Sequence, residues 1–332
     1  MNTELKILLD DFGGGRKKQT EESQIFYDLA HVVLTKLNNQ SFLKVEELSK
    51  IKDFSVDLVV SDPPYWKVVN EKWDYQWKTE QEYIQWSITW IKEVARTLRY
   101  GGTFYLFGYF RTLAHLVPYF EELGLELRQQ IIIDKGMRSV SGRATKNYRI
   151  FPNVTESCLF ITKDNKKFIK PFLKEHQLKQ GLSSKEINEA LGVKSNGGGM
   201  WSIYTGKNIC EQFPTNELWN KLQEVLKFEL NYADVAQTFN AQMGITDVWR
   251  DIDFYKEQRV HPTQKPLTLI KRLILASSNE GNLVVDPFAG SGSTAISAIQ
   301  LNRNFITIDS DENYYNEVLN RVDRTLNPLG VI

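Results

Sequence analysis

Short apolar runs alternate with longer amphipathic stretches along most of this 332-residue chain. "VDLVV" (56–60) reads as a buried strand, "EQEYIQWSITWIKEVARTL" (80–98) as an amphipathic helix stopped by Gly101 and Gly102, and "TFYLFG" (103–108) as the next strand. A helix over roughly 111–123 and the strand-like runs "LELRQQIIID" and "ESCLFITK" continue the rhythm, and the apolar spacing of 21–37 predicts a helix before it. Between about Asp164 and Gln258 the alternation lapses. It resumes with "HPTQKPLTLIKRLILAS", strand "NLVVD", turn "PFAGSGS", helix "TAISAIQLN", strand "FITID" and helix "ENYYNEVLNRV". The pattern predicts an α/β fold, a doubly wound and mostly parallel sheet covered on both faces. Residues 1–163 and 259–332 build the sheet on this reading, and 164–258 form an insertion.

Composition adds little: 42% hydrophobic and 25% charged residues are ordinary for a globular protein. No apolar stretch approaches the ~20 residues of a membrane helix, and the N-terminal apolar patch is too short for a secretory signal, so a cytoplasmic location without membrane contact is expected. Two cysteines and four histidines have no metal-ligand spacing, which predicts no metal. Net charge is zero, yet Lys135 to Arg149 carries five basic residues and no acid, and Lys163 to Lys185 carries seven lysines against Asp164 and Glu175. These segments are candidates for contact with a polyanion.

"VVDPFAGSGST" (284–294) joins a buried strand, an acid, a glycine turn and a helix start. Asp286, Phe288, Gly290, Ser291, Gly292 and Ser293 make up the candidate ligand turn, with free amides at its helix start. Asp309 ends the following strand, where an acid bonds ribose hydroxyls in doubly wound sheets. The turn lacks the lysine of a phosphate-binding loop and is not GxGxxG. A ribose-bearing ligand without phosphate fits better. S-adenosylmethionine is such a molecule, and its sulfonium suits an aromatic face such as Phe288.

"SDPPYW" (61–66) ends the first strand on an acid, two prolines and two aromatic rings, which folding alone does not call for. With "DPFAGSGST" and "HPTQKP" (261–266), it resembles the amino DNA methyltransferases, and the order of the pieces is that of their β class, a circular permutation of the Rossmann-like S-adenosylmethionine-dependent sheet. The resemblance implies Asp62, Pro63, Pro64 and Tyr65 as the catalytic tetrapeptide, and Thr263, Gln264 and Lys265 as further cofactor-site residues. Asp62 and the Pro63 carbonyl would accept the hydrogens of an exocyclic amine while Tyr65 stacks on a base swung out of double-stranded DNA. Asp at the first position goes mostly with N6 of adenine in that family. The alternatives are N4 of cytosine, an RNA target, and a DNA-binding regulator on an inactive fold. "NNQSF" (38–42) departs from the Gly-Asp pair that family members often carry there. Relatives also imply a homodimer and a cognate restriction endonuclease as partners.

The insertion contains "LKEHQLKQGLSSKEINEALGV" (173–193), which looks like the first half of a helix-turn-helix, with Ser183 or Ser184 capping its second helix. A recognition helix near Gly199 to Tyr204 would then enter the major groove, which makes Lys194, Asn196, Trp201, Ser202 and Tyr204 candidate DNA contacts. Lys135, Arg138, Arg143 and Lys146 in the basic loop join them. Trp66, Trp73 and Trp77 could wall the base site, whereas Trp86 and Trp90 are assigned to packing.

Overall fold

The computed structural model describes residues 32–36, 45–67, 74–140, 151–192, 199–206, 211–257 and 263–326. The expected helix over 21–31, Trp73, Arg143, Lys146, Lys194, Asn196 and the start of "HPTQKP" lie outside them.

Among the described residues, eight strands pair in one sheet: β1 (Val32–Lys36), β2 (Val56–Ser61), β3 (Leu98–Gly108), β4 (Leu125–Asp134), β5 (Thr155–Lys163), β6 (Val248–Trp249), β7 (Leu283–Asp286) and β8 (Asn304–Asp309). Their order is β1-β8-β7-β2-β3-β5-β4-β6. The run from β1 through β3 is parallel, β5 lies antiparallel between β3 and β4, and β6 runs parallel to β4. From β2 the chain proceeds outward to β3, and from β7 it proceeds the opposite way to β8. The β2–β7 boundary is therefore the switch point, where a doubly wound sheet opens a crevice beyond its carboxyl ends.

Neighbouring residues along these strands feed two separate cores, as the two-residue strand period requires. Val59, Phe104, Leu106, Leu159, Val285 and Ile306 point to one face, which α1 (Val45–Leu48), α2 (Glu80–Thr97) and α3 (Phe110–Leu116) cover. Leu58, Tyr105, Phe107, Phe160, Val284 and Phe305 point to the other, covered by α9 (Leu267–Ser277), α10 (Ser293–Gln300) and α11 (Glu312–Leu326). Between the two halves, α4 (Lys166–Gln180), α5 (Ser184–Ala190), α6 (Gly199–Tyr204), α7 (Asn216–Leu226) and α8 (Tyr232–Val235) enclose a third core around Trp201 and Trp219.

Four local expectations change, the first being that Val248–Trp249, expected in the insertion, joins the sheet beside β4. Val32–Lys36, expected at the end of a helix, is strand β1 paired in parallel with β8; its "VVLTK" is rich in β-branched residues, and the open edge of β8 decides the matter. Gly101 and Gly102 do not stop α2. The strand begins already at Leu98, and the register between β2 and β3 slips from Val56↔Leu98 to Leu58↔Thr103. Gly101 takes φ 73° in that bulge, where a Cβ would stand 2.6 Å from the Ala236 backbone. The helix expected over 111–123 ends at Leu116 and passes into a single tighter turn at Val117–Tyr119, which contains Pro118.

Candidate active site

β2 delivers Asp62 to the rim at the switch point. Pro63 and Pro64 are buried, and the Tyr83 hydroxyl of α2 donates to the Pro64 carbonyl at 2.6 Å, so the tetrapeptide is fixed from beneath. The next two residues, Trp66 and Lys67, both adopt left-handed backbone at φ 61° and 62°. Such conformations cost about 1–3 kcal/mol each in residues with a side chain and persist where the surroundings enforce them. Trp66 donates its indole N–H to the Trp77 carbonyl at 2.9 Å, and Lys67 N–H bonds the Asp74 carbonyl at 2.8 Å.

Asp62 does not stand alone. Its Oδ2 accepts from Lys265 Nζ at 2.6 Å and its Oδ1 from the Tyr65 hydroxyl at 2.7 Å. The same hydroxyl lies 2.5 Å from Glu156 Oε1 on β5, and Lys265 stands 3.6 Å from that oxygen. Lys135, just past β4, closes the array on Glu156 Oε2 at 3.0 Å. Two carboxylates and two ammonium groups thus alternate around one phenol. Burial on its own would depress the Lys265 ammonium, but Asp62 and Glu156 outweigh it and raise its pKa. Burial likewise pushes Glu156 up, and the attraction of Lys265 and then Lys135 brings it below the ordinary carboxylate value. The Tyr65 hydroxyl is driven well above its usual value, first by burial and then by the two carboxylates.

The glycine turn lies one strand away, since β2 and β7 pair through Leu58↔Val284 and Val59↔Val285. Lys265 joins the two motifs: its Nζ holds Asp62, and its backbone carbonyl accepts from Ser293 Oγ at 2.8 Å. Lys265, expected with the cofactor, therefore directs its ammonium to Asp62. Ser291 Oγ and Ser293 Oγ are 3.3 Å apart. Asp286, another expected cofactor residue, has both oxygens turned to its own loop, accepting from Phe288 N–H at 2.9 Å and Thr294 Oγ1 at 2.6 Å. Burial pushes its pKa up to about 7. Gly292, at φ 76°, caps α10 where a Cβ would meet Val318 at 2.9 Å, so helix packing already accounts for that glycine. Asp309 ends β8 and accepts from Gly290 N–H at 2.7 Å and Asp311 N–H at 2.8 Å. Burial raises it to about 6. The Phe288 ring sits edge-on to Trp90 at 5.0 Å and to Trp86 at 5.9 Å, so the two tryptophans assigned to packing also back the turn. Thr263 is half-buried and Gln264 buried beside Lys265.

The helical unit departs most from expectation. Gly181 in left-handed conformation closes α4, and a Ser183–Glu186 capping box opens α5. Trp201 and Tyr204, expected to read bases, are only 3% and 2% exposed and line the third core. A residue needed to close a small core is not free to enter a groove. Ser202 donates to the Gly199 carbonyl at 2.8 Å. Four lysines of the second basic stretch meet acids: Lys166 with Glu126, Lys170 with Glu211, Lys179 with Glu175 and Lys185 with Glu189. The unit docks where β3 begins, not where it ends. Tyr100 stacks on Phe168 at 4.4 Å, and Arg99 donates to the Ala236 carbonyl at 2.8 Å and to Asp57 Oδ1 at 2.7 Å. By the β2–β3 register Leu98 lies level with Val56, six residues before Asp62, so about 20 Å separates that edge from the rim bearing Asp62.

At the rim bearing Asp62 the exposed basic side chains include Lys67, Arg111, Arg138 and Arg250, with Arg111 paired to Glu80 at 2.9 Å. Lys135, expected to touch a polyanion, is engaged with Glu156. Trp77, a proposed wall of the base site, is 8% exposed and packs edge-on to Tyr83 at 5.0 Å, whereas Trp66 is half-buried. Two residues passed over in the sequence belong to this rim. Glu156 lies under Tyr65, and Tyr109, 40% exposed at the end of β3, presents its ring edgewise to Tyr65 at 5.8 Å. The exposed aromatic just past a strand's carboxyl end was the available signal for Tyr109; Glu156 had none.

The same arrangement of chain occurs in known proteins. A family model described as DNA methylase matches residues 56–320. The type II methyltransferase M1.MboII of Moraxella bovis is 29% identical over 285 residues, which span 83% of this chain and 94% of that protein. The DNA adenine methyltransferase YhdJ of Escherichia coli K12 is 28% identical over 286 residues, spanning 83% and 79%. Among solved structures, TTHA0409 of Thermus thermophilus, complexed with S-adenosyl-L-methionine, has a TM-score of 0.51 at 18% identity, covering 90% of this chain and 98% of that one. The cytosine-N4-specific PvuII DNA methyltransferase has a TM-score of 0.50 at 14% identity, covering 89% and 93%. At these identities the two structures share the fold.

Proposed function

This chain belongs to the DNA methylase family, and from that premise we propose that it transfers a methyl group from S-adenosylmethionine to the exocyclic N6 of an adenine turned out of double-stranded DNA. The observation that carries the reading is Lys265, whose ammonium holds Asp62 while its carbonyl holds Ser293, so that the acid and the glycine turn share one crevice.

The target amine is a weak nucleophile because its lone pair is delocalised into the ring. Asp62 and the Pro63 carbonyl accept its two hydrogens and draw the nitrogen toward tetrahedral geometry. Each Asp62 oxygen already takes one hydrogen bond and keeps a lone pair for the amine. The Tyr65 ring stacks on the base; stacking is worth ~1–3 kcal/mol per base, against an extrusion cost of a few kcal/mol. Tyr109 stands beside that ring as a second aromatic surface.

The turn residues fit a donor with a ribose and no phosphate. Asp309 is an acid at the end of β8, which would repel phosphate but has lone pairs beyond its two backbone bonds for ribose hydroxyls. Phe288, backed by Trp86 and Trp90, offers an aromatic surface to a cation. S-adenosylmethionine supplies an electrophilic methyl on a sulfonium. Orientation then accounts for most of the rate, with effective molarities for aligned reactants of about 10⁵–10⁸ M. Adenine is favoured by the acid at Asp62 and by the likeness to YhdJ, described as a DNA adenine methyltransferase. The exposed Arg138, in the basic loop that leaves the same rim, suits the DNA backbone.

The test is expression in a host without DNA methylation, followed by digestion of its genome and chromatography of the nucleosides. N6-methyladenine is expected, and it should vanish in Asp62→Ala. N4-methylcytosine would overturn the choice of base, and a mark that survives in Asp62→Ala would overturn the catalytic assignment.

A further inference from the structure

Glu156 is buried to 7% exposure at the catalytic rim, although nothing in folding the β4–β5 hairpin calls for a carboxylate there. It stands 2.5 Å from the Tyr65 hydroxyl, 3.6 Å from Lys265 Nζ and 3.0 Å from Lys135 Nζ. Burying such a group is costly unless it is fully paired. Here it is paired, and each partner but Lys135 also touches Asp62.

We propose that Glu156 is a positioning residue for methyl transfer, acting through Tyr65 and Lys265; the inference rests on the function proposed above. Two consequences follow from the geometry. The hydroxyl has one hydrogen, so Asp62 and Glu156 share it, and the pair of acceptors anchors the far end of the Tyr65 side chain and fixes its ring plane for the base. Lys265 is likewise shared. Without Glu156 its undivided charge would close on Asp62, and the ammonium would compete with the target amine for the lone pairs that must accept the amine hydrogens. Lys135, 27% exposed at the outer side, balances the second carboxylate and keeps the array neutral.

The experiment is a single-turnover assay with the full chain, S-adenosylmethionine labelled in the methyl group, and saturating genomic DNA from a methylation-free host. Wild type, Glu156→Gln, Tyr65→Phe and the double variant are compared, with donor affinity measured by calorimetry. Glu156→Gln and Tyr65→Phe are each expected to slow transfer about 10- to 100-fold, the scale of a small misplacement of reacting groups, while donor affinity stays within about twofold. The double variant should lose less than the product of the two single losses, because Tyr65→Phe already removes the hydroxyl that Glu156 holds. Transfer at the wild-type rate in Glu156→Gln, multiplicative losses in the double variant, or a loss of donor affinity that tracks the loss of rate would overturn the proposal. Should Glu156→Gln not fold, Tyr65→Phe decides it, since it keeps the ring and lacks only the anchored hydroxyl; an undiminished rate there is fatal. A wild-type chain that methylates no DNA overturns the proposed function along with this inference.

Discussion

The Asp286 carboxyl is held at about 7 by burial, against the hydrogen bonds from Thr294 and Phe288 N–H that pull it down. Its folded value lies above the unfolded one, near 3.9, so the native state binds this proton more tightly. The stability it contributes is therefore full at acid pH and is lost as pH rises through the window from about 4 to 7. Asp286→Asn removes that titration while retaining an acceptor for Phe288 N–H. Across thermal melts from about pH 8 to pH 5, wild type should gain stability relative to the variant as the pH falls. Parallel curves would refute the assignment. Asp309, raised to about 6, titrates in both proteins, and its charge is one of the lesser causes that raise Asp286. At this scale Asp62 and Tyr65 were legible because two prolines after a buried strand have no folding rationale. Glu156 was not, because its hydrogen-bond partner Tyr65 lies 91 positions away and the local "ESCLFITK" reads as plain strand.

Helix α5 has seven residues, too few to be stable alone, and depends on its cap and on Ile187 in the third core. The Ser183 side chain accepts from Glu186 N–H at 3.2 Å, and Glu186 Oε2 takes the Ser183 N–H at 2.7 Å. Ser183→Ala should destabilise the helical unit by about 1 kcal/mol in urea titration, with Thr in its place restoring most of the loss. An unchanged midpoint would mean that the cap adds nothing to the buried face. Such caps, the strand runs of β2 to β5, β7 and β8, and the helix α2 were visible in the sequence because each is set by neighbours within a few residues, whereas two-residue β6 is defined only by its pairing with β4. β1 was not, since the pairing edge that selects strand over helix is offered by β8, far along the chain. The bulge at Gly101 escaped for the same reason: its cause is the Ala236 backbone.

A net charge of zero conceals an uneven distribution. Lys166, Lys170, Lys179 and Lys185 of the helical unit meet acids, and Arg138 is exposed at the rim bearing Asp62. Each lysine or arginine that neutralises a phosphate contributes close to one to the slope of log K against log salt. Arg138→Ala should lower that slope by about 1 in a DNA-binding titration. The same change at exposed Lys174 on α4 should leave it unaltered. Equal effects at the two sites would place DNA over the helical unit and contradict its docking at the far edge of the sheet.

That docking has an evolutionary corollary. Because the helices are attached where β3 begins, a lineage can lengthen, trim or replace them as a cassette without moving a single reacting atom. Divergence among descendants of this chain should accordingly accumulate there first, while the strand ends around Asp62 tolerate almost none.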